Sequence, residues 1–200
     1  MQMTGKRIFD LCFSFLAILG LIIPSLILAL IIMAETRGGV FYSQVRVGRK
    51  QKHFKLLKFR TMHVGSDKKG LLTIGENDNR ITKTGKFLRK YKLDELPQLI
   101  NIFIGDMSFV GPRPEVPKYV SLYNEEQKKV FLLRPGLTDY ASLEYINENE
   151  LLSNQSDPEK YYIEKIMPAK LLLNLKYLEN VSLKTDLKII FRTIFKIFKK

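Results

Sequence analysis

LCFSFLAILGLIIPSLILALIIMA, Leu11 to Ala34, contains no charged residue, and its reading decides the architecture of the chain. A helix of this length can cross a hydrocarbon core about 30 Å thick. A buried helix of a water-soluble domain competes with that reading, but so long an apolar run is unusual in a chain of 200 residues. A cleaved leader could start at Lys6 and Arg7, yet the run is too long and no small-x-small cleavage site follows it. Near its middle stands Pro24, where a proline removes one backbone hydrogen bond and clashes with the preceding turn, at a cost of about 3 kcal/mol or more. A kink is favoured there. Lys6 and Arg7 precede the run, while Arg37, Arg46, Arg49, Lys50, Lys52, Lys55, Lys58 and Arg60 follow with no acid between Glu35 and Asp67. By the positive-inside rule both ends belong in the cytoplasm. The expectation is a re-entrant membrane helix in residues 1–36, broken at Pro24, followed by a cytoplasmic domain in residues 37–200. A straight span with its N-terminus outside is the alternative.

Composition bounds the rest. With 46% hydrophobic residues the chain can fill one core, and its length suits one domain plus an appendage. The only cysteine, Cys12, excludes an intramolecular disulfide or a cysteine-rich zinc site and reads as a small apolar residue. Thirty-three Lys plus Arg against 20 Asp plus Glu give a formal charge of +13. That predicts attraction to a polyanion, whether nucleic acid, an anionic leaflet or a phosphorylated substrate.

VFYSQVRVGRKQKHFKLLKFRTM, Val40 to Met62, reads as two extended stretches about a basic turn at Gly48, either a hairpin near lipid headgroups or a solvated edge hairpin. GSDKKGLLTIGENDNRI, from Gly65, is loop. A helix is predicted around Lys86 to Tyr91 and another from about Asp94 to Phe103, ended by GDMSFVGPRP. RPGLTDY is a rigid turn, and Asp157 to Leu178 is mostly helical with Pro168 kinking or dividing it. In the last helix, capped by Ser182, an apolar stripe (Leu183, Leu187, Ile190, Phe191, Ile194, Phe195, Phe198) lies apart from a basic one (Lys184, Lys188, Arg192, Lys196, Lys200). That suits a membrane interface. It equally suits a helix packed on a core with a solvated basic face, and the N-terminal run favours the membrane. The fold class expected is α+β: mainly helical, with a small antiparallel β element, a re-entrant membrane helix and membrane-surface amphipathic helices.

No Gly-x-Gly-x-x-Gly, phosphate-binding loop or His-Glu-x-x-His is present, and His53 and His63 are too few for a histidine metal site. The lead is KLDELPQL, Lys92 to Leu99, with Asp94 and Glu95 side by side. A glycosidase needs carboxylates roughly 5 Å or more apart across one bond, and chain neighbours point away from each other. Pro97 suggests instead that Asp94 or Leu93 caps a helix whose first turn carries Glu95 and Pro97. The positive end of that helix would keep Asp94 ionised and favour a bound phosphate. An Asp-Glu start is by itself ordinary capping chemistry. Its context is Arg89, five residues upstream, and Arg113, locked between Pro112 and Pro114. Arginine reads phosphate by planar, two-pronged hydrogen bonding. A carboxylate facing phosphate is repelled by about 4 kcal/mol at 4 Å in an effective dielectric of 20, so the site wants a cation such as Mg²⁺.

These residues resemble the bacterial sugar transferases, which are monotopic phosphoglycosyl transferases. The resemblance runs in order through KRIFD at Lys6, KFRTM at Lys58, NDNRIT at Asn77, GKFLRKYKLDELPQLINIFIGDMSFVGPRP from Gly85, RPGLT at Arg134 and SLKTDLKII at Ser182. It implies a re-entrant helix broken at a proline, a cytoplasmic α/β domain and amphipathic surface helices. It further implies that Asp94 attacks the sugar-bearing phosphate of a nucleotide sugar, usually a UDP-sugar, and that polyprenol phosphate then takes the phosphosugar from the enzyme. Glu95 would hold Mg²⁺ with Asp94 or assist proton transfer, while Arg113, Arg89, Arg60 and Lys58 would bind substrate phosphate. The implied setting is the cytoplasmic face of a bacterial inner membrane, at the first membrane step of glycan assembly. Partners would be membrane lipid and downstream glycosyltransferases, with no nucleic acid. Three departures from the usual pattern stand out: Ile23 where many members carry serine, TDYASLEYINENE after the Arg-Pro-Gly turn, and Asn174 in place of aspartate. The alternative is a non-catalytic, membrane-tethered basic protein whose Arg46 to Arg60 segment holds nucleic acid or anionic lipid. It leaves the Asp-Glu pair unexplained and lacks the interleaved aromatics of a single-strand binder.

Overall fold

The computed structural model describes residues 4–66, 72, 78–145 and 147–199. Most of the loop expected from Gly65 lies outside these residues, as does Asn77. The apolar run forms one helix, α1 (Thr4–Glu35), with Pro24 inside it. At 1.5 Å per residue it is about 48 Å long. The expected break at Pro24 is therefore not an end of helix. Proline deletes a single hydrogen bond, and packing on either side, through Ile18 and Leu21 before it and Leu28 and Ile32 after it, holds the register.

One stripe of α1, including Lys6, Asp10, Ser14, Ala17, Leu21, Leu28 and Ile32, lies against the rest of the protein. The opposite side exposes Phe13, Leu16, Leu19, Ile23, Leu26, Ile27 and Leu30. Both ends are fastened to the same body. At the start, the Arg7 guanidinium donates to the carbonyls of Ile102 (2.6 Å) and Phe103 (2.7 Å). Asp10 Oδ1 accepts from Ser108 Oγ (3.1 Å) and the Phe109 amide (3.0 Å). At the far end, Glu35 accepts from the amides of Lys83 (2.7 Å) and Thr84. Arg60 donates to the carbonyls of Thr36 (2.9 Å) and Arg37 (3.0 Å).

The hairpin is as the sequence predicts: β1 (Phe41–Val47) pairs antiparallel with β2 (His53–Phe59), from Phe41 opposite Phe59 to Val47 opposite His53. Helix α2 (Lys83–Lys90) is capped by Thr82, whose Oγ1 accepts from the Gly85 amide (2.9 Å). Next comes a correction. Asp94 does not cap the following helix: Leu93–Glu95 form a separate 3-10 turn, and α3 (Gln98–Ile104) starts only after Pro97, which has no capping side chain. Gly105, at φ +98°, ends α3 in the left-handed conformation.

Two strands of three residues, β3 (Ser108–Val110) and β4 (Gly136–Thr138), form a parallel pair that extends the expected fold class. Their loops meet backbone to backbone: a Cβ on Gly136 would fall 2.1 Å from the Gly111 nitrogen. Short helices α4 (Pro117–Val120), α5 (Tyr140–Glu144), α6 (Glu148–Ser153) and α7 (Pro158–Tyr161) follow. A π turn at Tyr162–Ile166 separates α7 from α8 (Met167–Glu179), so the division expected from Pro168 falls just before it.

Helix α9 (Leu183–Phe198) starts at Ser182, whose Oγ accepts from the Thr185 amide (3.1 Å). Its core contact is Ile189, fully buried with Val110, Leu143 and Tyr177. Much of the apolar stripe read from the sequence faces out instead, with Phe191 68% and Phe195 67% exposed. Ile190 of that stripe nonetheless packs against the same core cluster. Lys6 forms a buried ion pair with Asp186 of α9, and Tyr177 Oη donates to the same carboxylate (2.5 Å). Lys6→Met leaves that carboxylate uncompensated and is expected to destabilise the fold by about 3–5 kcal/mol. Thermal unfolding in detergent measures it, and an unchanged midpoint would mean the pair is open in solution.

Candidate active site

Lys92, in the left-handed conformation at φ 57°, turns the chain into the 3-10 segment that carries Asp94 and Glu95. Both acids are buried, at 5% and 7% exposure. Chain neighbours cannot share one direction, but Lys58 of β2 reaches both: its Nζ lies 3.6 Å from Asp94 Oδ2 and 2.9 Å from Glu95 Oε1. Arg113, in the loop after β3, places Nη2 2.5 Å from the same Oε1. The hairpin, the 3-10 turn and the Pro112–Pro114 loop thus converge on two carboxylates.

The electrostatics follow from this geometry. Burial opposes ionisation of Glu95, but Arg113, Lys58 and Lys92 overcome it and hold its carboxyl well below the usual range. Glu95 in turn raises Arg113 despite that residue's own desolvation. An acid so firmly ionised is a poor proton carrier and a good electrostatic anchor. Because the folded value is depressed, the associated stability is complete above the unfolded value near about 4.3 and is lost only as pH falls through the lower folded value. Glu95→Gln is expected to lower the unfolding midpoint at pH 7 and to flatten the acid limb below about pH 4. Identical acid limbs would mean that the pairing does not persist in solution.

Arg89 of α2 donates through Nε to Thr61 Oγ1 (2.9 Å), and burial lowers its pKa while Asp94 is the charge that most offsets this. Arg60 lies elsewhere. No hydrogen bond or ion pair among the described residues joins it to the carboxylates, because the free carbonyls after α1 take its donors. Pro24, exposed on α1, also stands apart from the pair.

A cavity of about 550 Å³ opens beside Glu95 and Arg113. Its lining includes residues that the sequence did not single out as a group. Arg46 Nη1 pairs with Glu115 Oε1 (3.0 Å), Tyr162 Oη donates to Glu115 Oε2 (2.5 Å), and Lys170 Nζ meets Glu148 Oε2 (2.7 Å). Glu115 beside the Pro-Arg-Pro turn was the one local signal, since its partners are 69 and 47 positions away.

A surplus of fixed cations around two buried acids suits a diphosphate more than any neutral ligand. Among the described residues no three His, Cys, Asp or Glu gather into a metal cage. The hard oxygens of Asp94 and Glu95 fit Mg²⁺, which commonly takes one or two carboxylates and completes its shell from substrate phosphate and water.

Residues 1–200 match the family model described as bacterial sugar transferase. This chain belongs to that family. The sugar transferase is 36% identical over 195 residues to the Bacillus subtilis (strain 168) protein named uncharacterized sugar transferase EpsL, a match covering 98% of this chain and 88% of that one. It is 37% identical over 201 residues to the UDP-glucose:undecaprenyl-phosphate glucose-1-phosphate transferase of Klebsiella pneumoniae, covering 98% of this chain but 41% of the relative. A third relative, the UDP-N-acetylgalactosamine-undecaprenyl-phosphate N-acetylgalactosaminephosphotransferase of Aeromonas hydrophila, is 33% identical over 169 residues, 83% of this chain and 37% of its own. The sugar transferase therefore spans less than half the length of the last two. Membership in an enzyme family displaces the non-catalytic basic binder as the reading of this chain.

Proposed function

We propose that this sugar transferase moves a sugar 1-phosphate from a UDP-sugar to undecaprenyl or a similar polyprenol phosphate, through a phosphosugar covalently held on Asp94. The observation that carries the reading is the buried Asp94–Glu95 pair, both acids within reach of Lys58, with Glu95 also paired to Arg113 where these two line the cavity. In the first step an Asp94 oxygen attacks the phosphorus bearing the sugar. The bond from that phosphorus to the bridging oxygen breaks, and UMP leaves with the bonding electron pair. In the second, a phosphate oxygen of the acceptor attacks the same phosphorus and returns Asp94 as a carboxylate, so a polyprenyl diphosphosugar departs. Lys58 and Arg113 would meet the negative charge that accumulates on the diphosphate, and Arg89 adds to the field at Asp94. Glu95 positions those cations instead of shuttling a proton. Asp94 and Glu95 would hold Mg²⁺, which when bound supplies charge neutralisation between acids and substrate phosphates.

The attachment of both α1 ends to one body supports a monotopic placement, in which the exposed apolar side of α1 and the outward aromatics of α9 enter the bilayer from one face. The basic flanks at both ends of α1 support a re-entrant placement with that face in the cytoplasm of a bacterium. Downstream glycosyltransferases would extend the product.

The test is incubation with single UDP-sugars without acceptor, scored by nucleotide released and by mass spectrometry of the peptide containing Asp94. UMP and a sugar-phosphate adduct are expected, whereas UDP would exclude the reading. For topology, a cysteine at position 2, with Cys12 replaced, should resist an impermeant thiol reagent on intact cells. Its labelling would establish a straight span.

A further inference from the structure

The phosphoryl chemistry leaves one side of the cavity unused. Ile190, Ile194 and Ile197 of α9 recur at helical spacing along one wall, and Leu96, Phe109 and Leu137 line the same space. The polar groups that α9 shows to the same cavity are already engaged, Thr193 Oγ1 with Thr138 Oγ1 (2.5 Å) and the Lys196 ammonium with the Leu143 carbonyl, while Asp186 ties the helix to Lys6 and Tyr177. Branched aliphatic side chains offer no hydrogen bond to a uracil, a ribose or a sugar hydroxyl, all of which would lose their water there. Hydrocarbon suits them. The same helix shows Phe191 and Phe195 on its outer side, so one element has an apolar face towards the surroundings and another towards the site.

We propose that this wall binds the first isoprene units of the acceptor lipid, with the lipid's phosphate directed to the Arg113 and Glu95 end of the same cavity. The inference rests on the transferase reading above. It follows from the shape of that reaction: donor and acceptor phosphates use the same cations in turn, so the acceptor needs its own feature for recognition, and the α9 wall supplies one that the donor cannot use. Helix α9 is then a threshold, carrying lipid on its outside and admitting the reactive end of one lipid on its inside.

Ile194→Asn in the full, detergent-solubilised chain tests this, since Ile194 is half-exposed and the fold can tolerate the change. The KM for a long-chain polyprenyl phosphate is expected to rise roughly tenfold, Ile194→Leu should stay near the parent, and preference for long over two-isoprene acceptors should shrink in the Asn variant. Acceptor-free UMP release in a single turnover is the internal reference. If it falls as much as transfer, the wall serves the donor and the proposal is overturned. An unchanged acceptor KM overturns it too. A polyprenyl phosphate with a photoreactive first isoprene unit should label residues 190–197, and labelling confined to α1 would also sink the idea. Failure of the transferase reading would look different: the parent protein itself would release no UMP and form no adduct, whatever the photolabel reports.

Discussion

Asp94→Asn is expected to abolish turnover, with any residual rate reduced roughly 10³-fold or more, the scale on which removal of a nucleophile acts. The amide has nearly the same size, but its lone pairs are delocalised and it carries no charge with which to attack phosphorus. The fold should survive. Lys58 keeps its shorter contact with Glu95 at 2.9 Å, so losing the 3.6 Å contact with Asp94 strands no cation. UMP release, adduct mass and unfolding midpoint, measured on one preparation, separate chemistry from stability. The expected pattern is no UMP, no adduct and a midpoint close to the parent's. A variant that still turns over would show that the carboxylate at position 94 serves only to hold Lys58.

Arg113→Lys is expected to cost roughly 10²-fold in kcat/KM for the UDP-sugar although the formal charge is unchanged. Arg113 already spends Nη2 on Glu95, and its planar fork has further donors to aim at a phosphate while that contact persists. A lysine ammonium on a flexible stem must choose between the carboxylate and the substrate. Flanking prolines narrow the backbone on either side, so arginine's orientation is set before substrate arrives. Glu95 should remain ionised in the variant, because Lys58 and Lys92 still act on it. Loss on this scale with a normal acid limb of unfolding would assign Arg113 to substrate. Full activity would assign the prolines to the turn alone.

The parts of the fold legible in the sequence were those with a long period or a strong local signal. The α1 run, the hairpin about Gly48, the Ser182 cap and the division near Pro168 each announce themselves within a few residues. The strands β3 and β4 did not, since three residues show no alternation and both are embedded in Gly-Pro-Arg-Pro and Arg-Pro-Gly stretches that read as turns. Capping logic misplaced Asp94 for a related reason: a 3-10 turn and an α-helix begin with the same residue types, and only the left-handed Lys92 separates them. Within the site, Asp94, Glu95, Arg113 and Lys58 come together as the motifs suggested. Arg60 does not, because the carbonyls after α1 claim it. The Arg46–Glu115–Tyr162 and Glu148–Lys170 groups were illegible, being joined only when distant segments pack.

The Lys6–Asp186 pair joins residues 180 positions apart, the first helix to the last. On the ribosome these emerge far apart in time. At about 5–20 residues per second, roughly 10 to 40 s separate the synthesis of the lysine from that of its partner. During that interval α1 can already dock through Arg7 and Asp10 on the α3–β3 segment and through Glu35 on α2, while Lys6 has no carboxylate partner. Emergence of α9 is thus the event that closes the last buried polar contact of α1. A nascent chain stopped before α9 would hold a charged Lys6 on an apolar helix without the Asp186 carboxylate that compensates it.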